Sequence, residues 1–152
     1  MKHKGNISEI GEMCADDFYA AYKRILDRHF SGEDTAPFTA RSVITETINS
    51  PASRYWVSEE RANQVVCTVL KGTNTLDKMM PERRKMYEDI ISQVKDIMNG
   101  NPDMSICDAV HIVLERPAPR FYVTESYAIK IISKKKLAWF LEKKHKLRHL
   151  FM

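Results

Sequence analysis

Basic side chains interleaved with aromatic ones are the residues of this sequence with the clearest chemistry. Residues 133–152 hold seven basic residues against one acid, Glu142. Lysine and arginine attract phosphate groups, and aromatic rings can stack on nucleobases. The same rings can also pack this tail onto its own core or onto a partner protein. We predict nucleic-acid contact by the basic residues and partner docking by two aromatic ones: Lys134, Lys135, Lys136, Lys143, Lys144, Lys146 and Arg148, with Trp139 and Phe140.

A second group of basic and aromatic residues lies in a stretch that occurs twice, 66 positions apart. Residues 51–66 read PASRYWVSEERANQVV, and residues 117–132 read PAPRFYVTESYAIKII. Chance would give about one identity in such a window at ordinary residue frequencies. Six positions are identical, and the aromatic, hydroxyl and β-branched positions are conservatively matched. We interpret the chain as internally duplicated.

The repeated stretch has a structural and a functional interpretation. Its arginines, Arg54 and Arg120, can contact phosphate, or they can pair with the glutamates Glu59 and Glu125 or cap helix carbonyls. Its aromatic pairs can fill the corner between helices, with one ring of each pair facing inward, or form a docking surface. We keep both alternatives and predict partner docking at the four aromatic positions Tyr55, Trp56, Phe121 and Tyr122.

No constellation of residues in the sequence indicates catalysis, and we expect neither a metal nor a cofactor. Phosphate-cradling glycine loops, a G-x-S-x-G elbow and an H-E-x-x-H motif are all missing from the sequence. His145 and His149 are four residues apart but have no evident third ligand. The chain is therefore predicted not to be an enzyme.

Helical periodicity dominates the rest of the chain. In each half a long apolar stripe is followed by a short amphipathic segment, the repeated aromatic turn and a third segment that opens with a hydroxyl residue. Glycine follows both long stripes, as expected at helix ends. We predict an all-α fold of two pseudo-symmetric three-helix units and a basic helical C-terminal tail. The predicted helices begin near Glu9, Thr39 and Ser58 in the first half, and near Pro81, Ser105 and Thr124 in the second.

These helices predict a division into residues 1–72, residues 73–133 and the tail, residues 134–152, with the two units free to share one core. The second and third helices of each unit, within residues 39–70 and 105–133, resemble the helix-turn-helix and homeodomain-like class. That resemblance implies that the third helix enters the major groove of DNA. The exposed faces implied to read bases are Glu60, Arg61, Asn63 and Gln64 in the first unit, and Ser126, Tyr127 and Lys130 in the second.

Length and composition define the class of protein. The 152 residues suit one domain or two very small ones, and a hydrophobic content of 43% supports a folded core. The net charge of +4 is uneven, because the seven bases and one acid of residues 133–152 carry +6 and leave the other residues at −2. Apolar runs long enough for a transmembrane helix and the apolar stretch of a secretory signal are missing. Three scattered cysteines make neither a zinc site nor a disulfide framework, so we expect a cytoplasmic protein.

Two functional hypotheses follow. The first is a non-enzymatic protein that binds nucleic acid, with double-stranded DNA as the expected partner. The second is a structural subunit or adaptor of a larger assembly, with the aromatic turns and the tail as docking surfaces and self-association as an option. A small regulator or virion component of a phage or mobile element suits either hypothesis.

Overall fold

The chain folds into helices joined by short loops. A computed structural model describes the backbone of residues 2–32 and 37–150 and the side chains of residues 9–32 and 37–146. Within these residues the only regular elements are six α-helices and one short 3-10 helix, which confirms the predicted all-α class. The α-helices are α1 (Lys2–Phe30), α2 (Ala40–Ile48), α3 (Glu59–Leu70), α4 (Pro81–Gly100), α5 (Ile106–Leu114) and α6 (Glu125–Leu150); the 3-10 helix is Thr75–Lys78.

Hydroxyl side chains start the short helices at the predicted positions. The Thr39 side chain accepts a hydrogen bond from the Ser42 amide at 3.1 Å, and the Ser42 hydroxyl accepts one from the Thr39 amide at 2.8 Å. The Ser58 and Ser105 hydroxyls each accept one from the amide three residues on, at 3.2 Å. Such caps satisfy amides that have no partner inside the helix and contribute about 1 kcal/mol each. The capping signals therefore placed α2, α3 and α5 correctly.

Each third helix packs against the other half of the chain. Helix α3 lies against α5 and α4, whereas α6 lies against α2 and α1. In the described structure no Cα atoms of α3 and α2 approach within 8 Å, and neither do those of α6 and α5. Apolar residues from both halves consequently form one continuous core, whose largest fully buried side chains include Phe18, Tyr55, Tyr87 and Phe121.

The two copies of the repeated stretch meet at the centre of the molecule. Ala52 and Ala118, the same position in each copy, pair as an isolated antiparallel bridge. The Ala52 amide donates to the Ala118 carbonyl at 3.0 Å, and the Ala118 amide donates to the Ala52 carbonyl at 3.1 Å. Both alanines are almost completely buried, at 2% and 1% exposure. Since an antiparallel pair relates its two strands by a local two-fold axis, the matching segments face each other symmetrically.

The last part of α6 extends beyond the core. Ile131 and Ile132 are buried against the other helices, but every described side chain from Lys136 to Lys146 is exposed. We call residues 136–146 the arm. In the described part of the chain, no helix is both long enough and apolar enough to cross a bilayer.

A candidate nucleic-acid interface and an arginine-lined cleft

The aromatic and the basic side chains of the arm are both exposed to solvent. Trp139 and Phe140 are 56% and 59% exposed, and the Lys143 ammonium lies 5.2 Å from the centre of the Trp139 ring. Lys146 makes an i, i+4 ion pair with Glu142 at 3.5 Å, a contact that contributes little in water. The predicted docking residues Trp139 and Phe140 and the predicted phosphate ligands Lys143, Lys144 and Lys146 are thus all accessible on one helix.

The lysines at the base of the arm contact the body. Lys135 forms an ion pair with Asp16 on α1, and the Lys136 ammonium lies 5.6 Å from the centre of the Tyr22 ring. These contacts connect the base of the arm with α1. Lys134 is exposed beside them. The side chain of Arg148, also predicted to bind nucleic acid, lies outside the described residues.

Arg54 and Arg120 occupy equivalent places in the two copies of the repeat. Each donates through Nε to the carbonyl of the next residue, at 3.1 Å from Arg54 and 3.4 Å from Arg120. The guanidinium carbons lie 5.2 Å from the Trp56 ring centre and 5.5 Å from the Tyr122 ring centre, respectively. Cation–π contact of this kind contributes about 0.5–1 kcal/mol at partly exposed sites. Both arginines therefore hold the aromatic turn in place.

The Nη2 groups of the two arginines donate to different acceptors. Arg54 Nη2 donates to the Val57 carbonyl at 3.0 Å, whereas Arg120 Nη2 donates to the Glu82 carboxylate at 3.1 Å. The glutamates suggested as their partners pair elsewhere, Glu59 with His111 at 2.6 Å and Glu125 with Arg41 at 2.7 Å. The repeat predicted the importance of these arginines but not their acceptors.

The second aromatic ring of each copy donates a hydrogen bond to an aspartate of a long helix. Trp56 Nε1 donates to Asp17 on α1 at 3.0 Å, and the Tyr122 hydroxyl donates to Asp89 on α4 at 3.2 Å. Asp17 also accepts from the amide and the hydroxyl of Ser53, at 3.0 and 2.6 Å. Sequence reasoning assigned no role to either aspartate, because nothing in the local pattern connects them with a turn more than 30 residues away.

The first aromatic ring of each copy is buried, as predicted for one ring of each pair. Tyr55 and Phe121 are 0% and 1% exposed, so in this structure neither ring is available to a docking partner. Trp56 and Tyr122 are half-buried against the core. The Tyr55 hydroxyl contacts Asp89 and accepts from Gln93 Nε2 at 2.6 Å. Burial, reinforced by Asp89, raises the pKa of Tyr55 and raises the pKa of Tyr122 to about 12, which keeps both phenols protonated.

A cleft opens where α3 and α6 begin, between α1 and α4. It has two adjoining compartments of about 530 and 510 Å³. The first contains Ser58 and Arg61 of the first copy, and the second contains the corresponding Thr124 and Tyr127 of the other copy. Four residues line both compartments, Ile10, Trp56, Arg83 and Met86. The cleft brings together several predicted site residues that are distant in sequence, namely Arg54, Arg61, Gln64 and Arg120 with Trp56, Phe121 and Tyr122.

The faces implied to read DNA are mostly exposed. Arg61 and Gln64 on α3 lie at the surface, with Arg61 Nη1 3.5 Å from Gln64 Oε1, and Lys130 is exposed on α6. Asn63 is instead half-buried, and its Oδ1 is buried without a hydrogen-bond partner in the described structure. Gln64 lies on α3 at the cleft, and Lys130 lies on α6 near the arm.

Comparison with known proteins leaves the site to be interpreted from its own geometry. No protein-family model, curated protein or solved structure matches this chain. Among the described side chains, no group of three or more His, Cys, Asp or Glu residues is placed to hold a metal ion. The two features with distinct chemistry are thus the exposed arm and the cleft.

Proposed function

We propose that this protein binds nucleic acid through the arm of α6. The observation that carries the proposal is the exposure of every side chain from Lys136 to Lys146 on a continuous helix that combines lysines with Trp139 and Phe140. Lysine ammonium groups release counterions from a phosphate backbone, and exposed aromatic rings stack on unpaired bases. The body, with a net charge of −2, supplies little of this attraction.

Salt dependence tests the proposal quantitatively. We would replace Lys143, Lys144 and Lys146 together by Gln in the full chain and measure binding to a fluorescent random duplex from 50 to 300 mM salt. Each lost phosphate contact reduces the slope of log K against log salt by about 0.9. The arm variant should therefore bind duplex with a slope reduced by up to about 2.7, if all three lysines contact phosphate.

A matched control separates the arm from overall charge. Lys71, Lys78 and Lys95 are exposed on the body, and their replacement by Gln changes the net charge by the same three units, from +4 to +1. The body variant should keep the original slope. Equal losses in both variants, or salt-independent binding of the original chain, would refute the assignment to the arm.

Trp139 and Phe140 distinguish single strands from duplexes. Base stacking on an aromatic side chain contributes about 1–3 kcal/mol per base. Replacing both rings by Ala should therefore weaken binding to a single strand at least tenfold and change duplex binding much less. A larger loss on duplex than on single strand would assign the rings to another role.

A second route to nucleic acid follows from the helix-turn-helix resemblance of the sequence, although α3 packs on α5 and α6 on α2 instead of each packing on the helix that precedes it. Arg61 and Gln64 on α3 and Lys130 on α6 are exposed and have the side-chain types that contact base edges. In this case Gln64→Ala or Lys130→Ala should change sequence preference, while the arm variant should weaken binding to all sequences. Arg54 and Arg120 are left out of both routes because they hold the aromatic turns.

An apolar patch on the arm supports a second candidate function, a subunit of a larger assembly. Leu137, Phe140 and Leu141 are spaced to share one helix face, and each is more than half exposed. Such a stripe is typical of a helix that docks in a groove. If this function is right, the protein should self-associate in sedimentation experiments, and Leu137→Ser with Phe140→Ser should abolish association while helix content is kept. A monomeric original chain would argue against self-assembly.

We also infer that residues 1–72 and 73–133 are copies of one ancestral unit. The paired alanines, the equivalent arginine contacts and the parallel hydrogen bonds to Asp17 and Asp89 support the duplication. Exchange of the third helices between the copies then accounts for one shared core. Separately expressed halves should be unfolded alone and regain helix content when mixed; a stably folded single half would contradict the exchange.

A further inference from the structure

The cleft at the start of α3 and α6 combines positive charge with apolar walls. Four guanidinium groups line it, from Arg54, Arg61, Arg83 and Arg120, against two carboxylates, Glu60 and Glu82. The lining residues thus carry a net positive charge. Both helices also point their N-terminal ends towards the cleft, where the helix dipole adds to the positive potential.

Most of this charge has no carboxylate partner among the described residues. Arg120 pairs with Glu82, but Arg54 donates only to backbone carbonyls and Arg61 contacts the neutral Gln64. Arg83 is exposed and forms no ion pair with any described residue. Arginine groups that face a partly apolar space without a carboxylate partner favour an anionic occupant.

The walls between the arginines are apolar and flexible. Met80 is 69% exposed and Tyr127 is 43% exposed at the rim, while Ile10, Trp56 and Met86 lie further along the cleft. Methionine adapts its shape to different apolar groups. Each compartment, at about 530 or 510 Å³, has the size of a small-molecule site.

The geometry disfavours a nucleobase as the occupant. Arg54 covers one face of Trp56, and the Tyr122 ring has Arg120 at 5.5 Å and the Tyr55 ring at 6.1 Å, so the two rings cannot hold a nucleobase between them, and only one face of Trp56 is left for an apolar group. Glu60 and Glu82 would repel a continuous phosphate backbone. A compact ligand with one acidic group avoids both difficulties.

From these observations we propose that the cleft is a binding site for a small amphipathic organic anion, with an apolar body and one sulfonate, carboxylate or phosphate group. Arg83 and Arg61 bind the acidic group, and Ile10, Met80, Met86 and Trp56 cover the apolar body. This site is separate from the arm, and it shares Arg61 and Gln64 with the second nucleic-acid route proposed above.

The probe for the experiment is 8-anilinonaphthalene-1-sulfonate, an anion of this class whose emission rises in apolar surroundings. The protein carries Trp139→Phe, which leaves Trp56 as the only tryptophan. Because Trp56 lines both compartments, binding in the cleft should be saturable and should quench Trp56 emission by energy transfer to the probe. N-phenyl-1-naphthylamine, which lacks the sulfonate, reports the contribution of the apolar walls alone.

Charge reversal at the cleft gives the decisive comparison. Arg83→Glu should weaken sulfonate binding at least tenfold and leave the uncharged dye within about twofold. Arg24→Glu is the matched control, since Arg24 is exposed on α1 and does not line the cleft. Arg83→Gln, with an expected loss of about threefold or more, replaces the glutamate variant if circular dichroism shows that the latter is unfolded.

Three results would overturn the proposal. Binding of the sulfonate without any change in Trp56 emission would place the dye elsewhere. Equal losses in the Arg83 and Arg24 variants would show a general charge effect. Loss of binding in a Leu137→Ser, Phe140→Ser variant, with no effect of Arg83→Glu, would assign the dye to the arm.

Discussion

The contact between Phe18 and Phe121 tests whether the two halves share one core. Phe18 on α1 is 0% exposed, and its ring meets that of Phe121 edge to face at a centroid distance of 5.1 Å. Such a pair contributes about 0.5–1.5 kcal/mol beyond the burial of its area. Phe→Leu at either position keeps most of the apolar volume and should cost about 1 kcal/mol of repacking plus the lost ring contact. The double variant loses that contact only once, so its cost should be about 1 kcal/mol smaller than the sum of the two single costs.

Urea unfolding followed by circular dichroism at 222 nm measures these differences. For a chain of this length, 1 kcal/mol corresponds to about 2–4 °C in Tm, which gives an independent check. A control cycle pairs Phe18→Leu with Val94→Ala on α4, because no Cα atoms of α4 and α1 in the described part of the chain approach within 8 Å. Additive costs in both cycles would refute the contact across the halves, whereas coupling confined to the Phe18–Phe121 cycle is the result that we expect.

Three further predictions concern charge, thiol reactivity and capping. The hydrogen bond and charge of Glu59 raise the pKa of His111. This link between α5 and α3 should therefore stabilise the fold fully below the ordinary histidine pKa of about 6.5, and the stabilisation should be lost as the pH rises through the higher pKa of the folded state. His111→Gln should remove that part of the pH dependence of Tm. Burial raises the pKa of Cys14 to about 12, so at pH 8 a disulfide reagent should modify the exposed Cys107 much faster than Cys14, which borders the cleft but is almost completely buried. Equal rates would contradict the burial. Ser58→Ala should cost about 1 kcal/mol in urea unfolding, and Ser58→Asp, which keeps a capping oxygen, should restore it.

Local signals predicted most elements of this fold because local physics determines them; one exception is the start of α1, which was expected near Glu9 and lies at Lys2. The hydroxyl caps Thr39, Ser58 and Ser105 and the apolar stripes are properties of a few neighbouring residues, and the helices begin where those signals lie. The stripes also predict which face of a helix is buried. They do not indicate which other helix covers that face, so the packing of α3 on α5 and of α6 on α2 could not be predicted from them.

The roles of individual site residues were predictable only in part, for the same reason. The repeat identified Arg54 and Arg120 as a matched pair, and an inward ring in each copy was expected. The partners of these side chains lie far away in sequence: Asp17 for Trp56, Asp89 for Tyr122. Nothing in the spacing identified Arg83, whose proposed role rests only on its position where α4 borders the cleft.

The helical state of the arm follows from the helix that it continues. An isolated helix of this length is marginal in water, because forming the first turn is costly. In α6 that cost is met inside the core, where Ala128, Ile131 and Ile132 are buried, and the arm only extends an existing helix. Each residue added to the helix then forms one further backbone hydrogen bond, and no new helix nucleus has to form. Trp139, Phe140 and the lysines are consequently held on a helix before any ligand binds. This lowers the ordering cost of binding for either proposed function, nucleic-acid binding or assembly.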